Sequence, residues 1–109
     1  MESSLEKKQR INLLMDCYEN LLTDKQRLYL HYYYHEDYSL SEIANELEVS
    51  RNAIFDNLKK AVHSLENYEE KLQLLKKHKE RIDLIQQLEK KITQDTNEIR
   101  AYFELLKKI

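Results

Sequence analysis

An all-α fold is predicted by three observations: neither glycine nor proline occurs among the 109 residues, two serine-led helix starts lie eleven residues apart, and apolar residues recur at helical spacing nearly throughout. Without the two residues that usually punctuate helices, every turn must be made by Ser, Thr, Asn, Asp or a residue under mild backbone strain. Charged residues make up 35% of the chain and apolar ones 41%, a balance that suits amphipathic helices better than a sheet protein.

The central stretch is Ser39 to Leu65. Ser39 and Glu42 stand in the S-x-x-E arrangement of a capping box, and Ile43, Ala44 and Leu47 then place one apolar face toward a core, leaving Asn45, Glu46 and Glu48 outward. Ser50 caps a second helix whose apolar positions Ile54, Leu58, Ala61, Val62 and Leu65 keep the 3.6-residue period. Two helices separated only by Glu48 and Val49 must cross steeply, which is a helix-turn-helix.

Upstream, Ile11, Leu14, Met15, Tyr18, Leu21 and Leu22 predict an amphipathic helix within residues 4–22. Cys17, the only cysteine, sits beside that stripe; no internal disulfide can form, and packing is a better role for it than redox chemistry. Thr23 and Gln26 form another capping box, opening a helix to about Tyr34 with Tyr29, Leu30 and Tyr33 able to face inward. Tyr32, Tyr33, Tyr34 and Tyr38 could stack on nucleic-acid bases, but consecutive tyrosines point around a helix, and partial burial is the simpler reading.

Downstream, Tyr68, Leu72, Leu75, Ile82, Ile85, Leu88 and Ile92 continue a stripe, predicting that the second helix runs on, with a bend near Asn67. A break is expected within Ile92 to Asn97, where Asp95 and Glu98 repeat the capping spacing. Ile99, Tyr102, Phe103, Leu106 and Ile109 then define a last amphipathic helix, folding back as a hairpin or pairing with a second copy; a homodimer is the expectation for stripes of this length. The domain division expected is 1–66 for the helix-turn-helix and 67–109 for a C-terminal amphipathic helical extension.

Enzymatic function is not expected. There is no Gly-rich phosphate loop and no nucleophile elbow, and no carboxylate pair stands apart from the many solvated Asp and Glu residues, so neither catalytic residues nor a cofactor are assigned. His31 and His35 have the spacing for a shared zinc ion, but no third ligand accompanies them and Tyr32 stands where a metalloprotease helix carries Glu, so no metal site is assigned. Nothing resembles a membrane span or a signal peptide, and a cytoplasmic location is expected.

The segment from Leu22 to Leu65 resembles region 4 of bacterial sigma-70 factors, so the fold expected is a sigma-70 region 4-like helix-turn-helix followed by extended amphipathic helices. Closer still is the resemblance to the YlxM family of small bacterial helix-turn-helix proteins, carried by LTDKQR, EDYSLSEIA, VSRNAIFDN and ENYEEKL over roughly residues 11–75. That family usually has Gln where this chain has Asn52 and Tyr where it has Phe55. Many helix-turn-helix proteins also place Gly at the turn position held here by Glu48, which predicts a less comfortable backbone there. The resemblance implies a regulatory role in the signal recognition particle pathway. The partners it implies are the GTPase Ffh, its receptor FtsY, the particle RNA, or the DNA controlling their synthesis.

Charge weighs those partners. Residues 1–66 hold eight Lys and Arg against twelve Asp and Glu, whereas residues 67–109 hold ten against eight. Phosphate contacts supply much of a DNA binder's affinity, so an acidic recognition domain predicts weak, salt-sensitive binding. The candidate nucleic-acid-binding residues are Ser50, Arg51, Asn52, Phe55, Lys59 and Lys60, with Arg27 nearby; Arg51 suits guanine and Asn52 adenine, while Asp56 would repel phosphate. The basic run Lys76 to Arg81 spreads around its helix and is read as a solvated face. Protein or RNA contact therefore ranks ahead of sequence-specific DNA binding by a transcriptional regulator.

Overall fold

The computed structural model describes residues 4–92 and 97–109, and they form six α-helices with no strand among them. These are α1 (Ser4–Tyr18), α2 (Asp24–Leu30), α3 (Leu40–Leu47), α4 (Arg51–Leu72), α5 (Leu74–Lys91) and α6 (Asn97–Lys108). The chain divides into two compact units, one ending at Gln73 and the other running from Leu74 to Ile109. The boundary expected after residue 66 falls inside α4.

In the first unit α4 packs against α1, α2 and α3. Its buried side chains Ile54, Leu58, Ala61 and Leu65 meet a core that includes Ile11, Leu14, Met15 and Tyr18 of α1, Tyr29 and Leu30 of α2, and Ile43 of α3. Burying each Leu or Ile side chain contributes about 1.5–3 kcal/mol, so this seam is the main source of the unit's stability.

Local hydrogen bonds set the helix starts. The Ser39 Oγ accepts from the Glu42 N–H at 3.0 Å while the Glu42 carboxylate accepts from the Ser39 N–H at 3.1 Å, and Thr23 with Gln26 makes the same reciprocal pair. The Ser50 Oγ accepts from the Ala53 N–H at 3.1 Å. Between α3 and α4, Glu48 adopts φ 55° and ψ 42°, the left-handed conformation expected of the position, and the Val49 N–H closes a six-residue ring onto the Ala44 carbonyl at 3.1 Å.

Three expectations are revised. The helix from Thr23 does not stay α-helical to Tyr34: after Leu30 the chain enters a π-helical turn, His31–His35, closed by the Glu36 N–H on the His31 carbonyl at 2.9 Å. The wider turn advances the inward position by about one residue, so Tyr34 is buried in place of Tyr33. Second, the first helix ends at Tyr18, and residues Glu19–Leu21 tighten into a 3₁₀ turn. Third, α4 is continuous through Asn67 but does not run on through Leu75; it stops at Leu72, where Gln73 takes φ 55° and its N–H closes on the Glu69 carbonyl at 2.8 Å. A left-handed cap is usually Gly or Asn, and Gln carries no such signal.

In the second unit α6 packs against α5, with Ile85 and Phe103 buried, and the Lys107 ammonium lies 2.7 Å from a Glu89 carboxylate oxygen. The expected cap at Asp95 lies outside the described residues. No helix among those described is long and apolar enough to cross a membrane.

Candidate functional site

The start of α4 positions the candidate residues. With about 100° between successive residues, the buried side chains Ile54, Leu58, Ala61 and Leu65 occupy one side of α4, and Asn52, Asp56, Lys59, Lys60 and His63 fan over the opposite side. All five are exposed. Asp56 stands in the middle of this fan, so the outermost charge on the recognition-type helix is negative. Arg51 and Asn52 are exposed in the first turn, directly after the Ser50 cap.

Phe55 lies on the flank between the fan and the buried side. It is 54% exposed, and with Leu58, Lys59 and Val62 it forms one wall of a hollow of about 330 Å³. Tyr33 and Tyr34 from the π turn, Leu40 from α3 and Lys7 from α1 complete the lining. The two tyrosine rings meet edge to face, 4.9 Å between centroids at 80°, and the Tyr34 carbonyl accepts from the Asn12 side-chain amide at 3.0 Å, which ties the π turn to α1. Burial, with Tyr33 beside it, pushes the Tyr34 phenol above its ordinary range, so it is neutral at physiological pH.

Lys59 also borders a second, more open depression with Gln26, Asp56, Lys60, His63 and Ser64. The structure thus brings Phe55 to one hollow, Lys60 to the other and Lys59 to both, while Ser50, Arg51 and Asn52 line neither. Arg27 is engaged by Asp24 on its own helix. Lys7 and Leu40 are the lining residues that sequence reasoning did not single out; Leu58 and Val62 stood on the α4 stripe, and Tyr33 and Tyr34 were read as partly buried. Lys7 reaches the site because α1 packs on α4.

Other chemistry-bearing side chains have structural surroundings. His31 and His35 lie on the π turn with ring centroids 5.4 Å apart, and the His31 Nε2 is 3.6 Å from a Glu19 carboxylate oxygen. Among the described residues no three His, Cys, Asp or Glu side chains converge as a metal-ion site. The Cys17 thiol is pushed above its ordinary pKa by burial and by the carboxylates of Glu69 and Asp16, the opposite of what a reactive thiolate requires.

A capped helix pair joined by a tight left-handed turn, with its second helix exposed along one side, defines a helix-turn-helix protein. The family described as "Putative helix-turn-helix protein, YlxM / p13 like" (UPF0122) matches residues 5–105. The chain belongs to that family. It is similar to the UPF0122 protein YlxM of Bacillus subtilis, 48% identical over 108 residues that span 97% of this chain and 98% of that protein. A UPF0122 protein of Listeria monocytogenes is 50% identical over 107 residues, covering 95% of this chain and 97% of the relative. One from a Geobacillus strain is 46% identical over 105 residues, covering 96% of each.

Proposed function

We propose that this chain is a non-enzymatic regulatory protein that acts in the signal recognition particle pathway through protein or RNA contacts made by its helix-turn-helix unit. The observation that carries the contact mode is Phe55, half out in solvent beside an apolar hollow, on a helix whose outermost charge is Asp56. A phosphate-reading surface favours cations at that crest, whereas exposed aromatic side chains beside apolar depressions suit protein partners. The pathway itself comes from the family resemblance, which points to Ffh, FtsY and the particle RNA. The proposal includes a homodimer joined through the C-terminal helices, since Tyr102, Leu105, Leu106 and Ile109 stand exposed along α6 and its end.

The second reading is a sequence-specific DNA-binding regulator. It is favoured by the Ser50 cap, which presents Arg51 and Asn52 in the first turn of α4 as a groove-reading helix requires. Capture of Ffh, FtsY or particle RNA by the full chain, run beside a gel shift with upstream DNA at two salt concentrations, separates the two. Capture that survives Arg51→Ala supports the first reading. Tight DNA binding at physiological salt that Arg51→Ala abolishes replaces it with the second. Sedimentation of the full chain across a concentration series tests the dimer, and a monomer at every concentration removes it.

A further inference from the structure

We propose that the hollow between α1, the π turn and α4 is a docking site for an acidic amphipathic segment of another protein, taking an apolar side chain beside Phe55 and a neighbouring carboxylate on Lys7 or Lys59. The inference rests on the reading of this chain as a contact module and names the kind of partner.

Three observations carry it. The hollow, about 330 Å³, is lined by Phe55, Leu58, Val62 and Leu40. That is at the small end of the roughly 300–1,000 Å³ range of ligand pockets, and suits one or two side chains of a partner rather than a cofactor. Its only charged lining groups are two lysines, both exposed, and among the described residues neither forms an ion pair. An apolar recess with unneutralised ammonium groups selects an apolar side chain accompanied by a carboxylate. Finally, the Tyr33 and Tyr34 wall is built on a π turn, a backbone form that is rare and recurs at functional sites.

Charge also discriminates among occupants. A nucleic acid would extend its phosphates past the hollow onto Asp56 and the acidic α3, which holds Glu42 and Glu46. A peptide with one or two carboxylates meets the lysines and stops.

The test uses the full chain and a fluorescently labelled synthetic helical peptide with Leu and Phe on one face and Glu flanking them. Two controls are the same peptide with Lys in place of Glu and a labelled oligouridylate of similar length. Binding is followed by anisotropy and, on the ¹⁵N-labelled chain, by amide shifts. The acidic peptide is expected to bind with shifts centred on residues 33, 34, 55 and 62, and the basic peptide not to bind. Lys7→Glu and Lys59→Glu should each weaken binding about fivefold at low salt, and Phe55→Ala about tenfold. Equal binding of the two peptides, no binding up to about 1 mM, indifference to all three substitutions, or tighter binding of the oligouridylate at these residues overturns the proposal. Circular dichroism of each variant separates lost binding from lost fold. Failure here leaves capture of particle components through another surface intact, and failure of that capture leaves the peptide result standing.

Discussion

The Arg10 guanidinium grips the Glu66 carboxylate through two hydrogen bonds, Nε to Oε1 and Nη2 to Oε2, each 2.7 Å long across 56 residues of chain. The pair joins the middle of α1 to the third quarter of α4, just outside the buried seam of Ile11, Leu14 and Leu65. Both side chains remain more than a third exposed, so water screens much of the attraction. Arg10→Ala is expected to lower stability in urea by about 0.5–1 kcal/mol, the upper part of the surface range because the geometry is bidentate. Glu66→Ala should match it, and the double variant should cost little more than either alone.

Tyr18 makes the neighbouring clamp from deeper in the core. Its ring is fully buried, and its hydroxyl donates to the Glu69 carboxylate at 2.6 Å. Tyr18→Phe keeps the packing and deletes one charge-assisted hydrogen bond, an expected loss of about 1.5–3 kcal/mol in the same measurement. A loss below a few tenths of a kcal/mol would show that water replaces the hydroxyl without penalty.

The helix-turn-helix turn offers substitutions of opposite sign. Ser39→Ala and Ser50→Ala each remove a cap and should destabilise by about 1 kcal/mol. Glu48→Gly should stabilise by about 0.5–1 kcal/mol, because φ 55° strains a residue with a Cβ more than the added chain entropy of glycine costs. Thermal unfolding of the three variants reads both signs at once.

Cys17 supplies a pH dependence. Its folded-state pKa is raised, chiefly by burial and then by Glu69 and Asp16, so the native thiol holds its proton more tightly than the unfolded chain does. Alkylation by iodoacetamide at mildly alkaline pH should be slower in the native protein than in urea. The stability linked to this group is fully present below the ordinary thiol pKa and is lost as pH rises through the folded-state value; Cys17→Ser should flatten that part of the profile.

Much of the first unit was legible because its signals are local. A serine or threonine three residues before Glu or Gln forms the same two hydrogen bonds wherever it occurs, and the stripe Ile54, Leu58, Ala61, Leu65 needs only helical geometry to define a buried face. The positive φ at Glu48 was also legible through the resemblance, since many helix-turn-helix proteins hold Gly at that position of the turn. The hollow was not. Its walls come from α1, the π turn, α3 and α4, and no periodicity within one segment reports on a recess between four.

By itself, then, the order of residues determined the helix starts, the buried face of each helix in the first unit and the tight turn before Ser50. These depend on contacts spanning only a few positions. Tertiary packing decided that Tyr34 rather than Tyr33 turns inward, and that Lys7 and Lys59 border one apolar recess. Those outcomes depend on groups far apart in the chain, such as Asn12 holding the Tyr34 carbonyl, whose meeting only the folded core brings about.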